Sequence, residues 1–461
     1  MGAFYAPVQG RSSIQFPYSA GLYKDKREAW RTEMILIKNG YVVDPKSGNE
    51  GIADILTEGK KIVKIGPGIV LENREGLQII DAAGKIVAPG LVDVHVHFRD
   101  PGFTYKEDIL TGAKAAAKGG LTTVVLMANT QPAVDNEETL DYVIRKGKET
   151  GIHVETCANI TIGMKGQALT DMERLSDKGA VGFTDDGIPL LDEAIVKQAI
   201  ARAEELGRPL SFHEENPAYI SDNGVNAGRA SSHYGIVGSD RLAEIDMVRR
   251  DIALAEGSKA VISIQHISTK EAVDLVRQAR KTNPRIYAEA TPHHFTLTED
   301  AVIEHGTLAK MNPPLREEED RLAIIQGLKD GTIGIIATDH APHSAEEKAK
   351  PLTEAPSGII GLETSLSLGV RELVEKGYLT MKELISRMAY QPAELYHLDA
   401  GYLEEGGPAD IVIFDKDEQW TAGSYLSKSS NSPFTGETMP CRVHYTICDG
   451  YVVYSLRPGY V

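Results

Sequence analysis

The chain has 461 residues, of which 42% are hydrophobic and 25% charged, a composition that is typical of soluble globular proteins. Its formal net charge of −17 argues against partners such as nucleic acid or an anionic membrane surface, since both require basic patches. Three cysteines cannot form a disulfide framework, and no apolar run approaches the roughly 20 residues of a membrane span, so we expect a cytoplasmic protein.

The first predicted elements begin near residue 34. Residues 1–33 show no hydrophobic periodicity, and we expect a disordered N-terminal extension there. Residues 34–87 contain short alternating runs broken by Gly and Asn, which predicts antiparallel β-strands. Residues 401–461 resume this pattern with ADIVIFD and HYTICDGYVVY. We therefore predict one small β-sandwich domain built from both ends of the chain.

Residues 88–400 alternate between apolar strand-like runs and helix-like stretches. The strand-like runs are LVDVHVH (91–97), TTVVLMANT (122–130), HVETCANI (153–160), AVGFTDD (180–186), PLSFHEE (209–215), VISIQHIS (261–268), IYAEATPHH (286–294) and IGIIATDHAP (333–342). Eight such repeats over about 300 residues are typical of a TIM-like (β/α)8 barrel, which is the predicted α/β fold. A doubly wound open sheet is the alternative, but no GxGxxG follows the first strand.

Polar residues concentrate where the predicted strands end. These residues are His95, His97, Asn129, Asp186, His213, His266 and Asp339. The carboxyl ends of barrel strands converge on one mouth, so these side chains should meet there. Four imidazoles and two carboxylates suit zinc, and six ligands are enough for two ions, which indicates hydrolysis or its reversal at a carbonyl. Other histidines are interpreted as ordinary packing or surface groups: His153, His233, His305, His397, His444, and also His293 and His294, of which one could support a ligand.

These motifs resemble those of the dihydroorotase family of the longer bacterial type, within the amidohydrolase superfamily, from residue 34 to about 455. The matching stretches are DVHVHFRDPG, MANTQP, FTDDG, HEENP, QHISTKEAV, EATPHHFTLTED, KMNPPLR and IATDHAPH. The resemblance implies the interconversion of N-carbamoyl-L-aspartate and L-dihydroorotate in pyrimidine biosynthesis. It also implies that one or two zinc ions are held by His95, His97, Asp186, His213, His266 and Asp339.

The FTDDG stretch implies that an aspartate bridges the two cations. Hydantoinases, which are similar in plan, use a carboxylated lysine instead, and no lysine occurs between Lys178 and Lys197. Both Asp185 and Asp186 are available. The spacing that the family shows before His213 favours Asp186, and Asp185 is then expected to have a structural role.

The resemblance also implies a set of substrate contacts: Arg99, Asn129, Asn312, His343, Ser357 and Gly358. Arg99 would form a forked pair with the α-carboxylate, completed by Asn129 and His343, because a planar guanidinium suits that geometry. Asn312 would meet the ring amide. Many family members have phenylalanine at the position of Ser357, which leaves the fit to the substrate ring open. A salt bridge to Asp100 or Glu107 is the alternative for Arg99.

Asp339 is the implied catalytic residue, because a carboxylate there could take a proton from the attacking water and deliver it to the departing nitrogen. The loop over 341–361 is either a lid or a solvated surface excursion. A small-molecule substrate and a homodimer are expected, and association with aspartate transcarbamoylase is open. Two other functions are weighed: a hydantoinase or allantoinase, and a non-catalytic scaffold for the transcarbamoylase, which should have lost ligands that this chain retains.

Overall fold

The computed structural model describes residues 34–72 and 76–457. The predicted N-terminal extension, residues 1–33, lies outside this range. Within the described residues, no helix has the length and apolarity needed to cross a bilayer.

Five strands form the N-terminal part of the described chain, as the alternating runs predict. They are β1 (Met34–Val43), β2 (Glu50–Glu58), β3 (Lys61–Gly66), β4 (Leu77–Asp81) and β5 (Ile86–Pro89). Strand β1 is central, since it pairs antiparallel with β2 on one side and parallel with β4 and β5 on the other. Strand β5 continues to Pro89, so the boundary expected after residue 87 falls inside a strand.

Seven further strands are parallel and carry the middle of the chain. They are β6 (Leu91–Val96), β7 (Leu121–Leu126), β8 (His153–Thr156), β9 (Leu210–Phe212), β10 (Ile262–Ile264), β11 (Ile286–Ala290) and β12 (Ile335–Ile336). They form two sheets, one in the order β6-β7-β8 and one in the order β12-β11-β10-β9. All six residues of β6 are buried, as expected of a parallel strand covered on both faces.

Two predicted strand regions differ in the structure. The run over 180–186 is not a regular strand, and within it Phe183 forms only single parallel bridges to Ala158 and Leu210. At the end of this run the Asp185 carboxylate accepts a hydrogen bond from the Ile160 amide, so a side chain and not a strand ladder holds the segment there. Strand β11 ends at Ala290, and the TPHH residues enter a short helix instead, because Thr291 caps it and proline suits its first turn.

Helices follow the parallel strands and cover them. The longer ones are Ile109–Lys118, Glu137–Gly147, Glu193–Leu206, Leu242–Leu254, Lys270–Ala279 and Glu318–Asp330, and shorter ones are Met172–Asp177, Arg229–Tyr234, Pro292–Thr296, Asp300–His305, Ala345–Lys348, Ser365–Gly369, Met381–Ile385 and Gln391–Leu395. The first of them is capped by Asp108, which accepts from the Thr111 amide at 2.8 Å, an interaction typically worth about 1 kcal/mol. Gly112 in this helix lets Phe98 pack closely, since a Cβ there would lie 2.3 Å from the ring.

The C-terminal part of the described chain carries five further strands. They are β13 (Ile411–Asp415), β14 (Trp420–Thr421), β15 (Thr438–Met439), β16 (Arg442–Cys448) and β17 (Tyr451–Ser455). Three of them, β13, β16 and β17, complete the first sheet, and β14 and β15 form a separate two-stranded sheet. Strand β13 pairs antiparallel with β5, so one eight-stranded mixed sheet contains both chain ends in the order β17-β16-β13-β5-β1-β2-β3, with β4 beside β1. This sheet has a core of its own, which includes Ile35, Ile55 and Ile411, separate from the larger core under the helices.

Candidate metal centre

The residues expected at the strand ends lie together. His95 is in β6 and His97 follows it, and Asp186 ends the irregular fourth segment. His213 follows β9 and His266 lies two residues after β10. Five of these residues form two groups whose potential ligand atoms lie within 4.8 Å of one another: His95, His97 and Asp186 in one, and Asp186, His213 and His266 in the other. Asp186 belongs to both groups.

The Asp186 carboxylate is the centre of this cluster. Its Oδ1 lies 3.5 Å from His95 Nε2, and its Oδ2 lies 3.4 Å from His97 Nε2. The same Oδ1 lies 3.5 Å from His213 Nδ1 and 4.0 Å from His266 Nε2. One carboxylate therefore faces four imidazoles, two from each of the two groups of potential ligands.

Asp339 adds the sixth predicted side chain beside the first group. Its Oδ1 lies 3.0 Å from His97 Nε2 and 3.6 Å from His95 Nε2. The backbone at Asp339 has φ +47° and that at His266 has φ +29°, in the left-handed region that residues other than glycine seldom adopt. Such strain is held where the surrounding structure over-determines the backbone, and it marks this cluster as a constrained site.

Acceptors outside the cluster orient the imidazoles. His95 Nδ1 lies 3.1 Å from a Glu289 carboxylate oxygen, and His213 Nε2 lies 3.0 Å from Glu215. With these nitrogens held, the opposite ring nitrogen of each histidine faces Asp186. Sequence reasoning missed both glutamates, although a carboxylate such as Glu289 inside the buried strand β11 is unusual enough to have signalled a partner.

The charges in the cluster shift several pKa values. Burial opposes ionisation of Asp186, but the charge of His95 and the hydrogen bond from His213 hold its pKa well below the usual range. Burial lowers the pKa of His213, yet hydrogen bonds to Asp186 and Glu215 raise it to about 10. Burial and the charge of His213 keep the pKa of His266 well below normal. In the absence of a metal, protons on the imidazoles offset the charge of Asp186. A bound cation could take their place, since metal binding displaces ligand protons.

Asp185 and Asp186 face different surroundings, as the sequence analysis expected. The Asp185 carboxylate accepts hydrogen bonds from the Ile160 amide at 2.9 Å and the Thr161 amide at 3.2 Å. It therefore fixes the adjacent loop, while Asp186 alone of the pair faces the imidazoles.

Three basic side chains lie beside the cluster. Arg99 donates to the Pro342 carbonyl at 3.3 Å, and one of its terminal nitrogens lies 3.5 Å from His343 Nε2. On the other side of the same imidazole, Lys106 Nζ lies 3.3 Å from Nδ1. Burial and the charges of Arg99 and Lys106 hold the pKa of His343 far below normal. This group would attract an anion, and Lys106 is a member that the sequence analysis missed.

The two carboxylates that were the alternative partners for Arg99 contact other residues. Asp100 accepts a hydrogen bond from the Tyr142 hydroxyl at 2.8 Å, and Glu107 lies 3.5 Å from His340. Both carboxylates are thus engaged elsewhere, which leaves the guanidinium available to a ligand.

Asn129 contacts two members of the cluster, and its expected contact with the substrate carboxylate stays a prediction. Its Oδ1 lies 3.0 Å from His97 Nδ1, and its Nδ2 donates to Asp186 Oδ2 at 2.9 Å. The amide therefore links two members of the cluster and orients His97 in the way that the glutamates orient the other imidazoles.

Asn312 and Ser357 lie close together, both with buried side-chain oxygens that have no hydrogen-bond partner. A Cβ at Gly224 would lie 2.2 Å from Ser357 Oγ and 3.0 Å from Asn312 Oδ1, so both oxygens border the same glycine. Gly358 has φ +132°, and a Cβ there would lie 2.9 Å from the Ala341 carbonyl oxygen. Buried polar atoms without partners cost free energy, and a ligand with N–H groups could satisfy them.

The loop over residues 341–361 is fixed to the rest of the structure by several hydrogen bonds, so it is not a fully solvated excursion. Buried Lys348 donates to the Pro356 and Gly358 carbonyls at 2.9 and 3.1 Å, and Lys310 donates to Leu352 and Ala355 at 2.7 Å each. From the C-terminal segment, Asn431 donates to the Gly358 carbonyl at 3.0 Å. Sequence analysis could not foresee Asn431, because it comes from a distant part of the chain.

The sequence of the chain is similar to those of several known proteins. A family model described as "Dihydro-orotase-like" matches residues 84–272. A dihydroorotase of Clostridioides difficile is 56% identical over 422 residues, covering 92% of this chain and 100% of that protein. A dihydroorotase of Clostridium acetobutylicum is 51% identical over 424 residues, again with 92% and 100% coverage.

Solved structures share the fold at lower identity. An L-hydantoinase (dihydropyrimidinase) from Arthrobacter aurescens superposes with a TM-score of 0.82 at 24% identity, covering 91% of this chain and 96% of that one. A dihydropyrimidinase from Brevibacillus agri NCHU1002 gives a TM-score of 0.80 at 23% identity, with 92% and 95% coverage. At this identity the likeness concerns the α/β fold alone.

Proposed function

The chain belongs to the dihydroorotase family, and we propose that it cyclises N-carbamoyl-L-aspartate reversibly to L-dihydroorotate with two zinc ions at the cluster around Asp186. As a member of this family it is a cyclic amide hydrolase of pyrimidine biosynthesis. The observation that carries the proposal is the Asp186 carboxylate, which faces the imidazoles of both groups of potential ligands. A carboxylate shared in this way is what a bridge between two adjacent cations requires.

The residues present fit divalent cations. Within residues 34–72 and 76–457, His95 Nε2 has no hydrogen-bond partner, and it lies 3.5 and 3.6 Å from two carboxylates, where a bound cation would satisfy all three groups. Imidazole and carboxylate donors suit zinc, and the outer acceptors Glu289 and Glu215 would fix the ring tautomers that binding requires. Two such cations would supply Lewis acidity and a water of lowered pKa.

The substrate α-carboxylate would bind between Arg99, His343 and Lys106. A planar guanidinium forms forked hydrogen bonds with a carboxylate, and the His343 imidazole now lies between two cationic side chains. An anion at this position would offset their mutual repulsion. Glu347, 2.8 Å from Lys106 Nζ, already balances part of the charge.

The ring amide would be recognised by Asn312 and Ser357. Their unpartnered oxygens can accept hydrogen bonds from ring N–H groups, and the Gly358 backbone borders the same space. Because the small serine replaces the phenylalanine of many family members, hydrogen bonding would replace packing against an aromatic ring at this position.

Asp339 is the proposed proton carrier. Its carboxylate lies beside His95 and His97, where a water or a substrate nitrogen would also have to lie. In the hydrolytic direction it would accept a proton from water and return it to the departing nitrogen. In the biosynthetic direction the same carboxylate would take the proton of the attacking ureido nitrogen.

We also propose that the two parallel sheets close into one (β/α)8 barrel over residues 88–400, with 34–87 and 401–461 forming a small β-sandwich. Parallel bridges through Phe183 support a link from β8 to β9. A bridge from Val96 to His340, with a 2.9 Å hydrogen bond from the His97 amide to the His340 carbonyl, supports closure after β12. A cytoplasmic location, a homodimer and association with aspartate transcarbamoylase remain predictions, and light scattering with and without the transcarbamoylase would check the last two.

The test is hydrolysis of L-dihydroorotate by the purified protein before chelation, after chelation and after zinc is added back. We expect activity that is lost and then restored, with zinc content measured in parallel. A folded, zinc-loaded protein that cleaves a hydantoin but not L-dihydroorotate would overturn the substrate assignment.

Neighbouring aspartates provide matched variants for the metal assignment. Asp186→Asn should lose zinc and activity together, because the shared carboxylate loses its charge. Asp185→Asn should retain zinc and lose stability instead, since that carboxylate binds loop amides. Equal zinc loss in both variants would contradict the bridging role of Asp186.

A further inference from the structure

A second cluster of potential metal ligands lies away from the candidate metal centre. It contains His153, Asp410 and Cys448, whose potential ligand atoms lie within 4.8 Å of one another. His153 begins β8, so the cluster is at the amino end of the parallel strands, opposite the end that carries Asp186. Asp410 precedes β13 and Cys448 ends β16, so the other two ligands come from the terminal sheet.

Four side chains converge at this point. His153 Nε2 lies 3.0 Å from Asp410 Oδ2 and 3.8 Å from Asp449 Oδ1. Asp410 and Cys448 are almost fully buried, while the His153 side chain is 35% exposed, which leaves the cluster open to an ion from solvent. The thiol makes a weak contact with the Thr122 carbonyl oxygen, 3.7 Å from Sγ.

We propose that His153, Asp410 and Cys448, with Asp449 as a fourth ligand, form a second site for a divalent cation of the zinc type. Thiolate, imidazole and carboxylate together are a donor set that zinc and cobalt prefer. Atoms around a tetrahedral zinc ion lie about 3.3–3.8 Å apart, so side-chain adjustments of about an ångström would bring His153, Asp410 and Cys448 to that spacing. Asp449 lies outside this group and would have to turn toward the ion. The ion would join β8 to the terminal sheet.

The charges of the cluster support this assignment. The carboxylates of Asp410 and Asp449 both face the His153 imidazole, and a bound cation would offset their negative charge. A bound cation would replace the thiol proton and any proton on the imidazole, so up to two protons would leave for each ion bound. Lys60, 2.6 Å from Asp449, offsets part of the negative charge that remains.

Cobalt provides a probe that separates the two sites. The six residues of the candidate metal centre include no cysteine, so a sulfur-to-cobalt charge-transfer band in the near ultraviolet would report only on a site with a thiolate. We would titrate Co²⁺ into the metal-stripped full chain and record this band together with the number of cobalt ions bound. We expect the band to appear and to account for one ion per chain.

Variants assign the band to its ligands. Cys448→Ser should abolish it, while Cys441→Ser and Cys157→Ser, at thiols that are equally buried, should leave it unchanged. His153→Gln changes a partly exposed residue and should weaken Co²⁺ binding at this site at least tenfold, with dihydroorotate hydrolysis unaffected. It serves as the test if Cys448→Ser does not fold.

A parent protein without the band at saturating cobalt would overturn the proposal and leave an ion pair between His153 and Asp410. A band that persists in Cys448→Ser, or that forms in His153→Gln with the Co²⁺ affinity of the parent, would overturn it as well.

Discussion

The two clusters of histidine and aspartate contain similar residues but differ in their surroundings. At the carboxyl ends of the strands, His95 is 1% exposed and its outer nitrogen is held by Glu289. At the amino ends, the His153 side chain is 35% exposed and its Nε2 faces carboxylates of the terminal sheet. Burial of the ligands and their orientation by outer carboxylates are typical of a site that does chemistry on a bound water. Ligands from two separate parts of the chain are instead typical of a site that joins those parts.

Replacing the proposed proton carrier should give the largest effect and would test whether the first cluster is the chemical one. Asp339→Asn should lower kcat about 1,000-fold, or roughly 4 kcal/mol, because an amide cannot accept the proton, while Asp186 and the four imidazoles still retain zinc. Steady-state kinetics and zinc analysis check this. Asp330→Asn, at a partly exposed acid on a helix end, is the control and should behave like the parent. Turnover near the parent rate in Asp339→Asn would remove the assignment.

The outer acceptors are the next difference between the clusters to test. Glu289→Gln should weaken zinc binding at the first cluster about 10- to 100-fold, because His95 loses a charged partner that fixes its tautomer. Zinc affinity measured by competition with a chelator checks this. Ser263→Ala removes the other hydrogen bond to the same carboxylate and should change affinity much less. If the two variants lose affinity equally, Glu289 acts only through packing.

The sequence predicts the first cluster well because its residues follow apolar runs and the parallel topology brings the strand ends together. His213 and Asp339 needed only that rule, whereas the choice of Asp186 over Asp185 also needed the spacing of the family that the sequence resembles. The outer acceptors were harder to predict, because Glu289 looks like an interruption of a strand until its partner is known. Asn431 could not be predicted from local pattern, since its contacts with the 341–361 loop depend on tertiary packing.

A buried lysine in the 341–361 loop, Lys348, should produce a smaller effect, a pH dependence of stability. Burial, and then the nearby charge of Lys310, lowers the pKa of Lys348 from 10.5 to about 7. Between these values the unfolded chain binds a proton that the folded chain does not, so stability should rise with pH from about 7 toward 10.

Lys348→Met removes this dependence. From pH 7 to pH 9 the parent should gain roughly 1–2 kcal/mol in unfolding free energy relative to the variant, after allowance for partial solvent screening. Denaturant titrations at several pH values check the slope, and Lys350→Met, at an exposed lysine of the same loop, should leave it unchanged. A parallel pH dependence in Lys348→Met and the parent would show that Lys348 remains charged.

The smallest expected effect concerns the second cluster as a link between the parallel strands and the terminal sheet. Zinc added at about tenfold its dissociation constant should stabilise the parent by about 1.4 kcal/mol through this site, which corresponds to a Tm increase of roughly 1–3 °C for a chain of this size. His153→Gln should show only the increase caused by the first cluster. The difference between the two melting curves, recorded after the first cluster is saturated, isolates the link. If the second cluster binds zinc but leaves Tm unchanged, the unfolded chain binds the ion as well as the folded chain does, and the ion does not tie the two parts together.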